Sequence, residues 1–180
     1  MHAREFIGHK GLRLVADVGG NPGNPPVILM HGGGQTRYSW GETAEALADN
    51  GFYVASLDLR GHGDSAWSRD GDYSIDCYVD DLRCVCSELG RPAALIGASL
   101  GGITALLAAG ESPQKIASAL ILVDIAPKVN AAGTEAIHRF MLSSPDGFGS
   151  LEEAADAVAR YLPHRPRPAD NSGLLKNLRR

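Results

Sequence analysis

The sequence predicts an α/β fold built on a mostly parallel, doubly wound sheet, and three observations carry that prediction. Short, wholly apolar runs alternate along the chain with stretches whose apolar residues recur at three-four spacing. The runs at 27–30 and 53–57 lack polar alternation, as strands covered on both faces do. Glycine-rich segments stand directly after three of the apolar runs, where parallel sheets place their ligand sites.

The elements follow in order. Residues 12–18 alternate apolar and polar side chains and read as a half-buried strand. The cluster Gly19-Gly20-Asn21-Pro22-Gly23-Asn24-Pro25 then breaks the chain into a turn before the buried strand 27–30. Residues 40–50 read as a helix closed by Gly51, a residue suited to the left-handed position after a helix end. After the buried strand 53–57, Ser74 is placed to cap a helix. Its apolar face is Ile75, Tyr78, Val79, Leu82, Val85, Cys86 and Leu89, and Gly90 ends it. A strand at 93–96, a helix at 100–109 and a strand at 119–123 complete the alternation. From Lys128 the character changes. Helical patterns at 134–142 and 151–162 flank Ser143-Ser144-Pro145-Asp146-Gly147, and no further apolar strand follows. The expected division is therefore a core at 1–127 and a helical excursion at 128–180.

Composition narrows the function classes. Seventeen basic against 21 acidic residues leave a net charge of −4, so no basic field is available to attract a phosphate backbone and no nucleic-acid partner is expected. The locally basic end (His164, Arg165, Arg167, Lys176, Arg179, Arg180) lacks interleaved aromatics and reads as a solvated terminus. No window holds the roughly 18 apolar residues that span a bilayer, and the charged start Met1-His2-Ala3-Arg4-Glu5 is unlike a secretion signal. No membrane association and a cytoplasmic location are expected. Cys77, Cys84 and Cys86 fall on one helix without a CxxC pair, so they read as apolar filler; neither a metal site nor a disulfide framework is indicated.

The chemistry concentrates in Gly97-Ala98-Ser99-Leu100-Gly101, with Gly102 following, between an apolar strand and an apolar helix. A GxSxG segment in that setting has the pattern of a nucleophile elbow. A serine is held in a strained turn with its hydroxyl lifted from the sheet and a helix N-terminus aimed at developing negative charge. The competing reading is a serine that merely caps the helix. His31-Gly32-Gly33-Gly34 follows the strand 27–30; the Lys-Ser/Thr of a P-loop is missing and GxGxxG spacing is not met, which removes the phosphate-loop reading. Asp58-Leu59-Arg60-Gly61-His62-Gly63-Asp64-Ser65 follows the strand ending at Leu57.

Taken together, in this order and spacing, the three motifs resemble the α/β-hydrolase superfamily, over roughly residues 10–165. The resemblance implies a sheet of the α/β-hydrolase type with the start of a helical cap from about Leu151. It implies Ser99 as nucleophile and the backbone N–H groups of Gly33 and Leu100 as oxyanion donors. His31 is implied to organise its loop, and Asp58 and His62 to shape the neighbouring turn. The implied activity is that of a serine hydrolase, esterase-like, acting on a small-molecule carboxylic ester or related acyl substrate with no cofactor. The aspartate-nucleophile types, haloalkane dehalogenases and epoxide hydrolases, do not fit Ser99.

A triad also needs an acid and a base, in the family order Ser, Asp or Glu, His. Asp124, after the strand 119–123, stands where some members place the acid; the alternative is an aspartate holding the turn to Pro127. The family's histidine follows strands that this chain does not reach, and His138 and His164 sit in the apparent cap. A C-terminally truncated hydrolase is thus expected, and a catalytically incomplete or ligand-binding chain is the second reading. With no later strand, the run 119–123 would be a bare apolar edge, through which the chain could form a homo-oligomer.

Overall fold

The computed structural model describes residues 1–125, 135, 137 and 139–178. The chain divides into two compact units, Met1–Ala126 and Pro127–Arg180.

The first unit is a six-stranded sheet in the order β1-β2-β4-β3-β5-β6. The strands are β1 (His2–Ile7), β2 (Arg13–Gly19), β3 (Pro26–Met30), β4 (Tyr53–Leu57), β5 (Ala93–Ala98) and β6 (Ala117–Val123). β1 pairs antiparallel with β2 and β2 antiparallel with β4, whereas β4, β3, β5 and β6 run parallel. The sequence reading missed β1. Only Phe6 is buried there, because an edge strand turns most of its polar residues to water and shows little apolar alternation.

β3 and β4 are buried at every residue, as the unbroken apolar runs predict. Side chains alternate between two packed layers. Val27 and Leu29 of β3 pack with Val54 beneath α1 (Gly41–Asp49), through Ala44, Trp40 and Leu47. Ile28 and Met30 face the other layer. There they pack with Leu95 against Tyr78, Val79, Leu82 and Val85 of α2 (Ile75–Leu89) and Ala105 and Ala108 of α3 (Leu100–Glu111). Helices thus cover both faces, the doubly wound arrangement.

Helix ends follow from local chemistry, with one difference. Gly90 closes α2 at φ 69°, a left-handed conformation that costs glycine least. Ser74 occupies the N-cap position, but its side chain makes no capping hydrogen bond. The three cysteines are free and lie on α2, with Cys77 and Cys86 buried. Among the described residues no helix is long and apolar enough to cross a membrane.

In the second unit α4 (Leu151–Tyr161) is capped by Ser150, whose hydroxyl accepts the Glu153 N–H at 3.1 Å. Arg167 is not simply solvated, because it bridges Asp156 at 2.6 Å and Glu152 on the same helix. The helix expected at 134–142 lies partly outside the described residues, as do His138, Arg179 and Arg180.

Candidate active site

The chain leaves β3 to form β4 on one side and returns to form β5 on the other. The reversal falls at the carboxyl ends of β3 and β5, the place where open α/β sheets hold ligands. The glycine loop 31–34 and Ser99 lie at those two ends. The turn 58–65 follows β4, and Asp124 follows β6.

Ser99 sits at φ 46° and ψ −112°, a strained backbone for a residue with a Cβ, worth on the order of 1–3 kcal/mol. It holds the N-cap position of α3 but makes no side-chain capping bond. The capping reading therefore has no support, and the hydroxyl is not committed to the helix. Three glycines let this turn exist. A Cβ on Gly97 would lie 2.3 Å from the Gly101 carbonyl oxygen, and one on Gly101 would lie 2.5 Å from that of Met30. A Cβ on Gly102 would lie 2.5 Å from Ile125 Cγ2. Backbone from β3, β5 and α3 meets too closely here for any side chain. The Ser99 N–H donates to Val123 at 3.2 Å and the Gly101 N–H to His31 at 3.2 Å, so the turn is pinned to both neighbouring strand ends.

The glycine loop touches this turn. A Cβ on Gly32 would stand 3.4 Å from the Ser99 Cβ. The Gly32 N–H donates to Gln35 Oε1 at 3.0 Å, and the Gly34 N–H to His62 Nε2 at 3.1 Å. The Gly33 N–H, lying between them, has no acceptor among the described residues. The Leu100 N–H is the first of α3, where a helix supplies no acceptor of its own.

His31 is fully buried, and burial pushes its imidazole down to about 4 against the opposing pull of its hydrogen bond to Gly32. Its Nε2 accepts the Leu59 N–H at 3.0 Å, so Nδ1 carries the proton and donates to the Gly32 carbonyl at 2.8 Å. His62 has the same tautomer for the same reason: Nε2 accepts from Gly34 and Nδ1–H donates to the Arg60 carbonyl at 2.9 Å. Neither ring has a free Nε2 lone pair to take a proton from Ser99.

Asp58, also fully buried, gathers the surrounding loops. Its carboxylate accepts the Arg37 N–H at 2.7 Å and the Asp64 N–H at 2.8 Å, and it pairs with the Arg37 guanidinium. Arg37 reaches Asp64 at 2.7 Å and Asp17 at 3.0 Å as well. Burial opposes the Arg37 charge, but these partners outweigh it and hold the guanidinium protonated beyond its ordinary range. The Ser65 hydroxyl donates to the Asp58 carbonyl and accepts the Val15 N–H. A Cβ on Gly63 would fall 2.1 Å from the Asp58 carboxylate. Asp58, Gly63, Asp64 and Ser65 of the 58–65 motif are thus explained by one ion-pair cluster centred on Asp58 and Arg37. Arg37 belongs to it as much as the motif residues do. Sequence reading passed Arg37 over because its partners lie far along the chain.

Asp124 ends β6 at φ 53° and is exposed. The strand before it contrasts with β5: among the described residues β6 is paired on one side only, and Leu120, Ile121 and Val123 are exposed. His164 is exposed in the second unit.

A family model described as the alpha/beta hydrolase fold matches residues 25–175. The chain belongs to the α/β-hydrolase family. Esterase Rv0045c of Mycobacterium tuberculosis is 35% identical over 162 residues, covering 87% of this chain and 53% of its own length. A probable protein phosphatase methylesterase 1 of Caenorhabditis elegans is 34% identical over 145 residues, covering 75% of this chain and 38% of its own. The crystal structure of an alpha/beta hydrolase from Novosphingobium aromaticivorans superimposes with a TM-score of 0.79 at 27% identity, over 97% of this chain and 61% of that one. This hydrolase-family chain thus spans about half the length of the first of these curated relatives and less of the other.

Proposed function

We propose that the chain carries the nucleophile half of a serine hydrolase acting on a carboxylic ester or related acyl group. The observation that carries the reading is Ser99. It is held at positive φ on the turn between β5 and α3, free of any capping bond, beside a loop whose Gly33 N–H has no acceptor among the described residues. Two of the relatives, an esterase and a probable methylesterase, bear names that denote ester cleavage.

In this reading the Ser99 hydroxyl attacks the acyl carbon as a base removes its proton. The oxyanion of the tetrahedral intermediate accepts from Gly33 and Leu100 N–H, two donors fixed before the substrate arrives. Collapse expels the alcohol, and water then releases the acid from the acyl-enzyme. Asp124, on the adjoining strand end, serves as the acid that orients the base. The base itself is neither His31 nor His62, whose Nε2 atoms are both engaged. Loss of a triad member costs on the order of 10⁴ in rate, so turnover by these 180 residues depends on where that base comes from.

The test is to expose the chain and Ser99→Ala to a fluorophosphonate and a short-chain p-nitrophenyl ester, with mass spectrometry locating the adduct. An adduct on Ser99, absent from the alanine variant, is the expected result. A folded chain that takes no adduct at Ser99 overturns the reading in favour of a hydrolase scaffold without its chemistry.

A further inference from the structure

The glycine loop poses a physical problem. Three successive glycines have the largest backbone freedom of any residues, yet an oxyanion donor acts only if its N–H is held still. His31 is fixed by burial and by the Leu59 N–H, and Gly32 is held by Gln35 at both its N–H and, through the Gln35 N–H at 3.2 Å, its carbonyl. Gly34, at φ 72°, lies beyond the candidate donor, and its N–H is tied to a single side-chain atom, His62 Nε2.

His62 is itself anchored. Its Nδ1–H donates to the Arg60 carbonyl, and the Arg60 guanidinium is buried in a two-pronged pair with Asp81, at 2.7 and 2.8 Å. Asp81 also accepts the His9 N–H at 2.8 Å. A continuous path of hydrogen bonds therefore runs from α2 through the turn after β4 to the loop after β3. The His62 ring lies 5.0 Å from that of His31, so the two imidazoles brace the loop from adjacent positions. The space where a Cβ of Gly33 would stand is open, with no atom of the described residues beyond its chain neighbours within 4 Å.

We propose that His62 is a positioning residue. By accepting the Gly34 N–H it fixes the far side of the loop and leaves Gly33 as the one glycine amide there that is held in place yet open to a ligand oxygen. The proposal rests on the oxyanion reading of Gly33 for its catalytic meaning, but its structural claim stands apart from turnover.

The experiment compares the full chain with His62→Ala and His62→Gln, since the Gln Oε1 reproduces an acceptor at the Nε2 position. Amide hydrogen exchange at Gly34 is expected to accelerate at least about tenfold in His62→Ala and to be restored in His62→Gln. Fluorophosphonate labelling of Ser99 is expected to slow about tenfold in His62→Ala and to recover with glutamine, a smaller loss than deletion of an oxyanion donor. Unchanged Gly34 exchange in His62→Ala overturns the proposal, as does unchanged labelling in a variant with accelerated exchange. If the wild-type chain takes no label at all, the Ser99 reading fails while the Gly34 exchange still decides the role of His62. If His62→Ala does not fold, the wild-type imidazole 15N spectrum decides: an Nδ1–H tautomer at His62 is expected, and an Nε2–H tautomer overturns the proposal.

Discussion

β5 and β6 are neighbouring parallel strands of similar composition, and each ends on a non-glycine residue at positive φ, Ser99 at 46° and Asp124 at 53°. Their surroundings differ entirely. β5 lies between two strands, with alternate residues buried, and its terminal turn is closed by glycine contacts and hydrogen bonds to both sides. Among the described residues β6 has a partner on one side only, and five of its seven residues are exposed. A strained residue persists where its surroundings over-determine it. Ser99 meets that condition within this chain. Asp124 is tied to the sheet mainly through the strand it ends. The candidate nucleophile turn and the glycine loop are thus assembled within residues 1–125, whereas the candidate acid Asp124 follows a strand that is paired on one side only among the described residues.

The largest effect that sharpens this contrast is expected at Asp58. Asp58→Asn removes the fully buried carboxylate from Arg37, leaving it only the partly exposed Asp17 and Asp64, and should cost about 3–5 kcal/mol, read as a fall in the urea midpoint. A loss below about 1 kcal/mol would show that the loops after β3 and β4 are not held through this cluster.

Gly97→Ala is expected to cost about 3 kcal/mol or more, because its Cβ meets the Gly101 backbone at 2.3 Å. Gly33→Ala, whose Cβ enters open space at an ordinary φ, should cost less than about 0.5 kcal/mol. Equal losses at the two sites would break the claim that close packing, and not glycine content, builds the turn.

The buried His31 predicts a pH dependence. Its native value of about 4 lies below the usual 6.5, so the unfolded chain binds the proton more readily. Its stabilising contribution is complete above pH 6.5 and is lost as pH falls towards 4. Between pH 7 and 5 the loss should be about 2 kcal/mol, absent from His31→Gln and measured by urea titration at both values.

The smallest effect on stability is expected on β6. Leu120→Lys changes an already exposed residue and should shift the unfolding midpoint by less than about 0.5 kcal/mol. It should nevertheless lower self-association, because a lysine on a bare edge opposes strand pairing with a second copy. Sedimentation of the two proteins at matched concentration checks this; an unchanged monomer fraction would place any self-association elsewhere.

The sequence by itself determined the alternation of strands and helices, the full burial of β3 and β4, and the position of Ser99 between strand and helix. Each of these depends on short-range periodicity and on glycines next to an apolar run. It gave no sign of β1, whose polar edge lacks that periodicity, and it placed a side-chain cap at Ser74 that does not form. What only the tertiary structure decided is which groups meet across long separations. Arg37 finds Asp58 21 residues away, and Gly34 finds His62 28 residues away. It also decided that His31 and His62 turn their Nε2 atoms to backbone amides. That outcome depends on burial and on which N–H groups the loops present, and neither is written in local residue order.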